Sequence, residues 1–257
     1  MSLIRRVQDW YTEVALGNVP NRTLVHKFGA ATIGTTFQPI TQSGNYQTPT
    51  TGQTLEAISD STADSAAGTG ARKITIIGLD SSWNEQQEEV TLNGTTAVAV
   101  SNKFTRVYRV YVSESGSYAT QSVGSHSGNI TVRGVGGGAT WAVIPNTPFP
   151  TGQTEIGCYT VPTGYTAYLL SKNVFVDSNK QANVYFFRRD NADDVTTPYG
   201  GAMRLVEKEI GVSAGIQIKT ASPKGSFVGP CDVGFMGVMV SGTADVSVEF
   251  ELLLVQN

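Results

Sequence analysis

The residues best suited to chemistry are three glutamates, Glu85, Glu88 and Glu89, within the stretch GLDSSWNEQQEEVTLNGTTAVAV. Two carboxyl groups cleave a glycosidic bond when both face one substrate at roughly 5 to 9.5 Å. Glu88 and Glu89 are neighbours in an expected strand, so their side chains point to opposite faces of the sheet. Asp80 with Glu85 could form such a pair, but no other feature of the sequence favours it. The stretch is better explained as strands joined by turns, with charged residues that protect sheet edges.

Other arrangements for catalysis or ligand binding are also weakly supported. His26 and His126 lie far apart in the sequence, and neither belongs to a pair with metal-ligand spacing. A Gly-x-Ser-x-Gly pattern occurs at GVSAG, residues 211–215, but a match to this pattern alone does not indicate the strand-turn-helix that presents a nucleophilic serine. The acidic stretch DNADD, residues 190–194, lacks the spacing of a calcium loop, and GVGGG, residues 134–138, lacks the Lys-Ser/Thr of a phosphate loop. The sequence therefore predicts a non-enzymatic protein that uses no metal and no cofactor.

Composition predicts an all-β protein. Charged residues make up 15% of the 257 residues, well below the usual quarter. The chain has 28 glycines and abundant serine and threonine, so many short strands joined by turns are expected and long helices are not. Two cysteines, Cys158 and Cys231, are too few for a disulfide framework, and we expect them to be buried thiols.

Charge and hydropathy argue against two classes of partner. The net charge is −3, and the chain lacks the block of Lys and Arg that nucleic-acid binding needs. No apolar run reaches about 18 residues, so a membrane-spanning helix is not expected. The first residues, MSLIRRVQDWYTEVALG, lack the apolar core of a signal peptide. We therefore expect synthesis in the cytoplasm, with no nucleic acid and no membrane as a partner.

The N-terminus predicts a short amphipathic helix over residues 2–16. Ser2 can cap its first turn, and Gly17-Asn18 followed by Pro20 ends it. Its apolar residues recur at steps of three and four and share one face; they are Leu3, Val7, Trp10, Tyr11 and Val14. A helix of this length needs a surface to dock on. That surface is either its own domain or a neighbouring subunit, and these five residues are the candidate partner-binding site.

Period-2 alternation predicts strands on both sides of a proline-rich segment, residues 144–153. Residues 29–70 read as long loops with one or two strands. The predicted strands cover residues 71–80, 87–94, 103–112, 128–134, 155–161, 165–176, 181–190, 202–212, 231–242 and 244–257. The last of these has the cleanest alternation of apolar and polar residues. Asn93-Gly94 is a strong signal for a tight turn.

These elements predict an all-β fold with two β-sandwich, jelly-roll-like units after a short N-terminal helix. The expected division is a helical arm over residues 1–24, a first β domain with long loops over 25–145, and a second β-sandwich domain over 146–257. The proline-rich segment is the best candidate for a domain boundary.

Three segments resemble virion structural proteins of tailed bacteriophages, many of them marine. They are residues 9–29, 71–100 and 159–170, with the central one the most distinctive. The resemblance covers most of the chain. It implies a particle component built from β-sandwich domains and located in the virion. It brings no catalytic residues and does not say where on the particle the protein lies.

Two structural roles follow as hypotheses, and an enzyme is the third. In the first, the chain decorates or cements the capsid, anchored by the N-terminal helix and the loops of residues 29–70. Its partners would be the major capsid protein or tail proteins, and copies of itself, with a trimer favoured. In the second, it is a tail or baseplate adaptor or a glycan-binding module for the host. Aromatic side chains would then stack on sugars, with Tyr165, Tyr168, Tyr185 and Tyr199 as candidates. The third, a polysaccharide depolymerase, lacks the short repeats of such enzymes.

Overall fold

The computed structural model describes residues 9–118, 124–177 and 179–257, with the backbone alone described over 216–223. One short helix precedes sixteen strands in that part of the chain, which confirms the all-β prediction. In chain order the elements are α1 (Trp10–Ala15), β1 (Arg22–Ile33), β2 (Gln38–Pro39), β3 (Gln53–Ser59), β4 (Ala71–Leu79), β5 (Glu85–Thr91), β6 (Val98–Phe104), β7 (Arg106–Ser115), β8 (Ile130–Gly134), β9 (Thr140–Ile144), β10 (Cys158–Val161), β11 (Tyr165–Val176), β12 (Ala182–Arg189), β13 (Met203–Val212), β14 (Ala214–Val228), β15 (Cys231–Met239) and β16 (Ala244–Gln256). None of the described helical segments has the length and apolarity needed to cross a bilayer.

The helix is shorter than the sequence predicts. Asp9 has an extended backbone, with φ −61° and ψ 125°, and its carboxylate accepts a hydrogen bond from the Thr12 N–H at 3.1 Å. Asp9 is therefore the cap, because a side-chain oxygen satisfies a free N–H of the first turn. The prediction of one continuous helix over residues 2–16 was wrong at this point. Ser2, its expected cap, lies outside the described residues.

Two sheets form the larger sandwich. One has the strand order β1-β16-β11-β14, and the other has the order β10-β15-β12-β13, with β2 paired to β15. Their facing sides meet in a core centred on Phe186, Phe235 and Phe250, whose ring centroids lie 5.1 to 5.8 Å apart. The alternating apolar residues of β16 all point into this core, as the sequence predicts.

Two further sheets form the smaller sandwich. Their strand orders are β6-β3-β8-β9 and β5-β4-β7. The core between them is mainly aliphatic, with Leu55, Ile74, Ile76 and Val132 all buried. Antiparallel sheets with one buried face explain the alternation of apolar and polar residues in these strands. The four sheets confirm the predicted β-sandwich class.

The pairing of β1 crosses the division expected from the sequence. Along its whole length β1 pairs with β16, from Arg22 opposite Val255 to Ile33 opposite Ala244. A strand close to the N-terminus therefore completes the larger sandwich, most of which comes from the second half of the chain. The division at residues 145/146 did not anticipate this pairing, because strand partners far apart in sequence leave no local signal.

The strand predicted over residues 103–112 is two strands, and that prediction was wrong. β6 ends at Phe104 and β7 begins at Arg106. Between them, Thr105 is buried, and its hydroxyl donates to the Asp80 carbonyl at 2.7 Å. The chain changes sheet here, because β6 pairs with β3 while β7 pairs with β4. A change of sheet leaves the alternation of residue types intact, so the sequence pattern continues across it.

Candidate functional site

The two adjacent glutamates of the acidic stretch, Glu88 and Glu89, bond to neighbouring strands. The Glu88 carboxylate accepts hydrogen bonds from the backbone N–H groups of Ser101 and Asn102, both at 2.7 Å. The Glu89 carboxylate instead forms an ion pair with Lys73 at 3.0 Å. Because the two carboxylates contact different elements, they do not face one substrate pocket.

The alternative carboxylate pair, Asp80 and Glu85, is also engaged in structural contacts. The Asp80 side chain accepts from the N–H groups of Ser82 and Asn84, at 2.7 and 3.0 Å, and so closes the turn between β4 and β5. The Glu85 carboxylate accepts a hydrogen bond from the Tyr108 hydroxyl at 2.5 Å. A carboxylate that closes a turn is not free to act as an acid or base.

The histidines are held by protein partners. His26 lies 2.6 Å from the Glu249 carboxylate on the next strand. His126 is buried and bonded to the Pro145 carbonyl at 3.1 Å and to the Ser125 hydroxyl at 3.0 Å. Burial lowers the pKa of His126. Across the described residues, no group of three or more His, Cys, Asp or Glu side chains is placed to hold a metal ion.

The acidic stretch at residues 190–194 is a structured loop. Asp190 forms ion pairs with Arg188 and Arg204. The Asp194 carboxylate accepts from the Gly200 N–H at 2.7 Å, which fixes the loop that follows. These carboxylates therefore have partners within the protein.

Both cysteines are free and buried, as the sequence predicts. Burial raises the pKa of the Cys158 thiol to about 12, and the pKa of the Cys231 thiol rises to about 12 for the same reason. The thiolate is the reactive form of cysteine, so near neutral pH these residues act as small apolar side chains.

The helix face predicted for partner binding divides in two. Val14 is only 3% exposed and docks α1 on its own domain, whereas Trp10 and Tyr11 are 43% and 40% exposed. The two exposed rings contact each other edge to face, with centroids 5.2 Å apart. Leu3 and Val7 lie outside the described residues. Val14 therefore fixes the helix to the domain, while Trp10 and Tyr11 form an aromatic pair on the surface.

The four candidate tyrosines do not form one platform. Tyr165 packs against the larger core, and Tyr168 is half-buried on the same strand. Tyr185 meets Phe37 edge to face at 5.4 Å. Tyr199 differs from these because it is 65% exposed and lies at the rim of a cleft.

A buried charge network joins the two sandwiches. Arg106 of β7 donates from Nε and Nη2 to both oxygens of Asp232 on β15, at 2.9 and 3.0 Å. Arg189 of β12 donates from Nε to the same carboxylate at 2.9 Å. The Arg189 Nη2 and the Thr160 hydroxyl also donate to Asp232, the latter at 2.6 Å, and Thr160 is itself bonded to the Tyr46 hydroxyl at 2.7 Å. Arg106 and Asp232 are each 1% exposed.

Each charged group in the network has several partners. Burial opposes ionisation of Asp232, but the nearby Arg106 and Arg189 guanidinium groups outweigh it and lower the pKa of Asp232. The remaining nitrogen of Arg106, Nη1, donates to the carbonyls of Thr105 and Pro49 at 2.8 and 3.3 Å. The guanidinium carbon lies 4.8 Å from the centroid of the Trp83 ring. Buried ion pairs persist only when their groups are hydrogen-bonded in this way.

A cleft of about 520 Å³ opens above this network. Its volume lies within the range of small-ligand sites, about 300–1,000 Å³. We call it the Arg189 cleft, and its lining residues are Thr48, Pro49, Thr50, Arg106, Arg189, Asn191, Ala192, Asp194, Val195, Tyr199, Gly201 and Ala202. One wall comes from the loop before β3 and the other from the loop between β12 and β13, with the two arginines between them.

Lys27 is a second unusual charged group between the sandwiches. Its side chain is 6% exposed, and its ammonium donates to the Tyr108 carbonyl. No carboxylate among the described residues forms an ion pair with it. Burial, with a smaller contribution from Arg109, lowers the pKa of Lys27 from 10.5 to about 7.

Sequence reasoning did not find the Arg106–Asp232 pair. The alternation over residues 103–112 left open which face of that strand is buried. Asp232 did carry a signal, because it is a lone carboxylate within the otherwise apolar strand CDVGFMGVM. A charged residue in such a strand is buried only when it is paired, but its partner lies 126 residues away in the sequence.

Comparisons with known proteins leave the family of this chain open. No protein-family model and no curated protein sequence matches it. A chain from the structure of infectious bursal disease virus Gx strain aligns with 100% of this chain and 79% of its own length, at 9% identity and a TM-score of 0.22. A chain from T=1 particles derived from infectious bursal virus aligns with 92% and 70%, at 11% identity and a TM-score of 0.24. These scores are too low to support a functional argument.

Proposed function

We propose that this chain is a non-enzymatic structural component of a tailed-phage virion that decorates or cements the capsid through protein–protein contacts. The observation that carries the proposal is the exposed aromatic pair Trp10 and Tyr11 on a helix fixed to the domain by Val14. Exposed aromatic residues are enriched where proteins contact one another. The resemblance to virion proteins of tailed phages supports the same role.

The chemistry-bearing residues support a structural role as well. Within the described part of the chain, the carboxylates of the acidic stretch hold turns and neighbouring strands, and both thiols are buried. We therefore propose that the chain needs no cofactor and acts in the virion, after assembly in the host bacterial cytoplasm. Its partners would be the major capsid protein or tail proteins, without nucleic acid or membrane.

Strand β13 offers a surface for contact between copies. It is an edge strand, and among the described strands its partner is β12 alone. Four of its apolar residues are at least 43% exposed; they are Met203, Leu205, Val206 and Ile210. An apolar edge strand invites pairing with another chain. This surface supports a homo-oligomer, and we propose a trimer.

The aromatic pair gives the first prediction. The double variant Trp10→Ala, Tyr11→Ala should fold with a melting temperature close to that of the wild type, because exposed side chains contribute little to stability. Its attachment to particles assembled without this protein should fall at least about tenfold, since truncation of an aromatic anchor removes about 2 kcal/mol or more. Co-sedimentation of purified protein with such particles measures the attachment.

Tyr118→Ala is the matched control, because Tyr118 is a 91% exposed tyrosine outside the helix. It should attach as the wild type does. Equal attachment of the double variant and the control would show that the helix is not the anchor. Substitution is preferable to deleting residues 1–24, because that deletion would also remove the start of β1.

A second candidate function is a tail or baseplate adaptor that binds a host glycan. The observation that favours it is Tyr199, which is 65% exposed at the rim of the Arg189 cleft. An exposed ring beside a cavity is suited to stack on a sugar.

A further inference from the structure

We infer that the Arg189 cleft is a binding site for a neutral saccharide. The inference deepens the second candidate function, but it does not depend on where the chain sits in a particle. It rests on three properties of the cleft: its polar groups that bond to no described residue, its exposed aromatic ring and its balance of charge.

Several polar groups that line the cleft bond to none of the described residues. Arg189 uses Nε and Nη2 to hold Asp232, whereas its Nη1 bonds to none of the described residues. The side-chain amide of Asn191 and the hydroxyls of Thr48 and Thr50 likewise bond to no described residue. Together they present both donors and acceptors. A ligand with several hydroxyl groups, each able to donate and accept, matches this set.

The Tyr199 ring supplies the apolar part of the site. It is 65% exposed at the cleft rim. The face of an aromatic ring carries partial negative charge, so it attracts the polarised C–H groups on one face of a pyranose. Val195 and Ala202 extend the apolar lining. An aromatic ring and several polar groups in the lining of one cleft fit a ligand with one apolar face and a hydroxylated edge.

The charges around the cleft favour a neutral ligand. Arg106 and Arg189 carry two positive charges, and Asp232 beneath them and Asp194 in the wall carry two negative charges. The Asp194 carboxylate would repel a phosphate or sulfate in the cleft. The arginines are also held in place by Asp232, so Arg189 can act as a preorganised hydrogen-bond donor rather than as a free cation.

Saturation-transfer difference NMR on the full chain tests the inference. The probes are the methyl glycosides of glucose, galactose, mannose, N-acetylglucosamine and N-acetylgalactosamine, with glucuronic acid and inorganic phosphate as anionic probes. We expect at least one neutral glycoside to bind. Tyr199→Ala should weaken that binding about tenfold, because stacking and buried ring area are both lost. Thr48→Val should also weaken it, by removing one hydroxyl.

Tyr118→Ala is again the control and should bind as the wild type does. Binding that survives Tyr199→Ala would place the sugar elsewhere and overturn the inference. Binding of glucuronic acid or phosphate alone would identify an anion site and overturn it too, as would the absence of binding by every probe. None of these results would change the expected attachment of the chain to particles through Trp10 and Tyr11, so the two proposals fail separately.

Discussion

Replacing Asp232 with asparagine should lower the free energy of unfolding by about 3–5 kcal/mol. The carboxylate is 1% exposed and is the only described counter-charge in contact with Arg106, which is 1% exposed as well. Asparagine has nearly the same shape but no charge, so the Arg106 guanidinium would remain buried without compensation. It would also offer one acceptor oxygen where Arg106, Arg189 and Thr160 now share two. Urea denaturation followed by tryptophan fluorescence measures the change.

Asp193→Asn is the matched control, because Asp193 is exposed, and it should change stability by less than about 0.5 kcal/mol. The double variant Arg106→Met, Asp232→Asn should lose less stability than the sum of its two single variants, since it does not leave the Arg106 charge buried alone. A loss below about 1 kcal/mol for Asp232→Asn would contradict the role assigned to the network in joining the two sandwiches.

The free energy of unfolding should increase as the pH rises from 7 to 8.5, because Lys27 loses its buried charge over this range. Its pKa is about 7 in the folded chain and 10.5 as the ordinary value. Below pH 7 both states carry the proton, and the full cost of burying the charge, on the order of 5 kcal/mol, is present. Above pH 7 the folded state releases the proton while the unfolded state keeps it, so stability increases by up to about 1.4 kcal/mol per pH unit.

The difference between the wild type and Lys27→Met isolates this effect. Wild-type stability should rise relative to the variant by about 2 kcal/mol between pH 7 and 8.5 in urea titrations. Cys158 and Cys231 act in the opposite direction at higher pH, because burial raises their pKa values to about 12 and the unfolded thiols ionise first. Both proteins share that effect, so it cancels. Lys103 is an exposed lysine, so the stability of Lys103→Met should change with pH as that of the wild type does.

A constant difference between the wild type and Lys27→Met across this range would contradict a lowered pKa for Lys27. The range starts at pH 7 because below its folded pKa of about 7 Lys27 carries its proton in both the folded and the unfolded state, so the difference levels off there. Burial also lowers the pKa of His126, so stability that depends on it is lost as the pH falls below the ordinary histidine pKa. Both proteins share that loss, so it cancels in the difference.

The elements with a single buried face were predictable from the sequence. β16 alternates apolar and polar residues, and the structure buries Val246, Val248, Phe250, Leu252 and Leu254 as the alternation predicts. The β4–β5 hairpin and the β10–β11 turn were also predictable, because the turn residues between their strands are local. In each case the physical cause lies within a few neighbouring residues.

Features that depend on distant partners were not predictable. β1 could be assigned to the larger sandwich only through β16, more than two hundred positions away in the chain. β14 was not predicted, and its polar, glycine-containing sequence AGIQIKTASPKGSFV has weak alternation. The same limit applies to the Arg189 cleft. Its two walls come from the loops around Pro49 and Tyr199, and only the folded chain brings them together.

The most direct test of the capsid-decoration proposal is immunogold electron microscopy of intact particles of the phage that we propose encodes this chain, with an antibody raised against the purified protein. The proposal predicts gold in many copies over the particle head. Gold confined to the tail tip would contradict decoration and favour the adaptor or host-binding role. Label that appears only after the particles are disrupted would contradict both roles, because it would place the chain inside the virion.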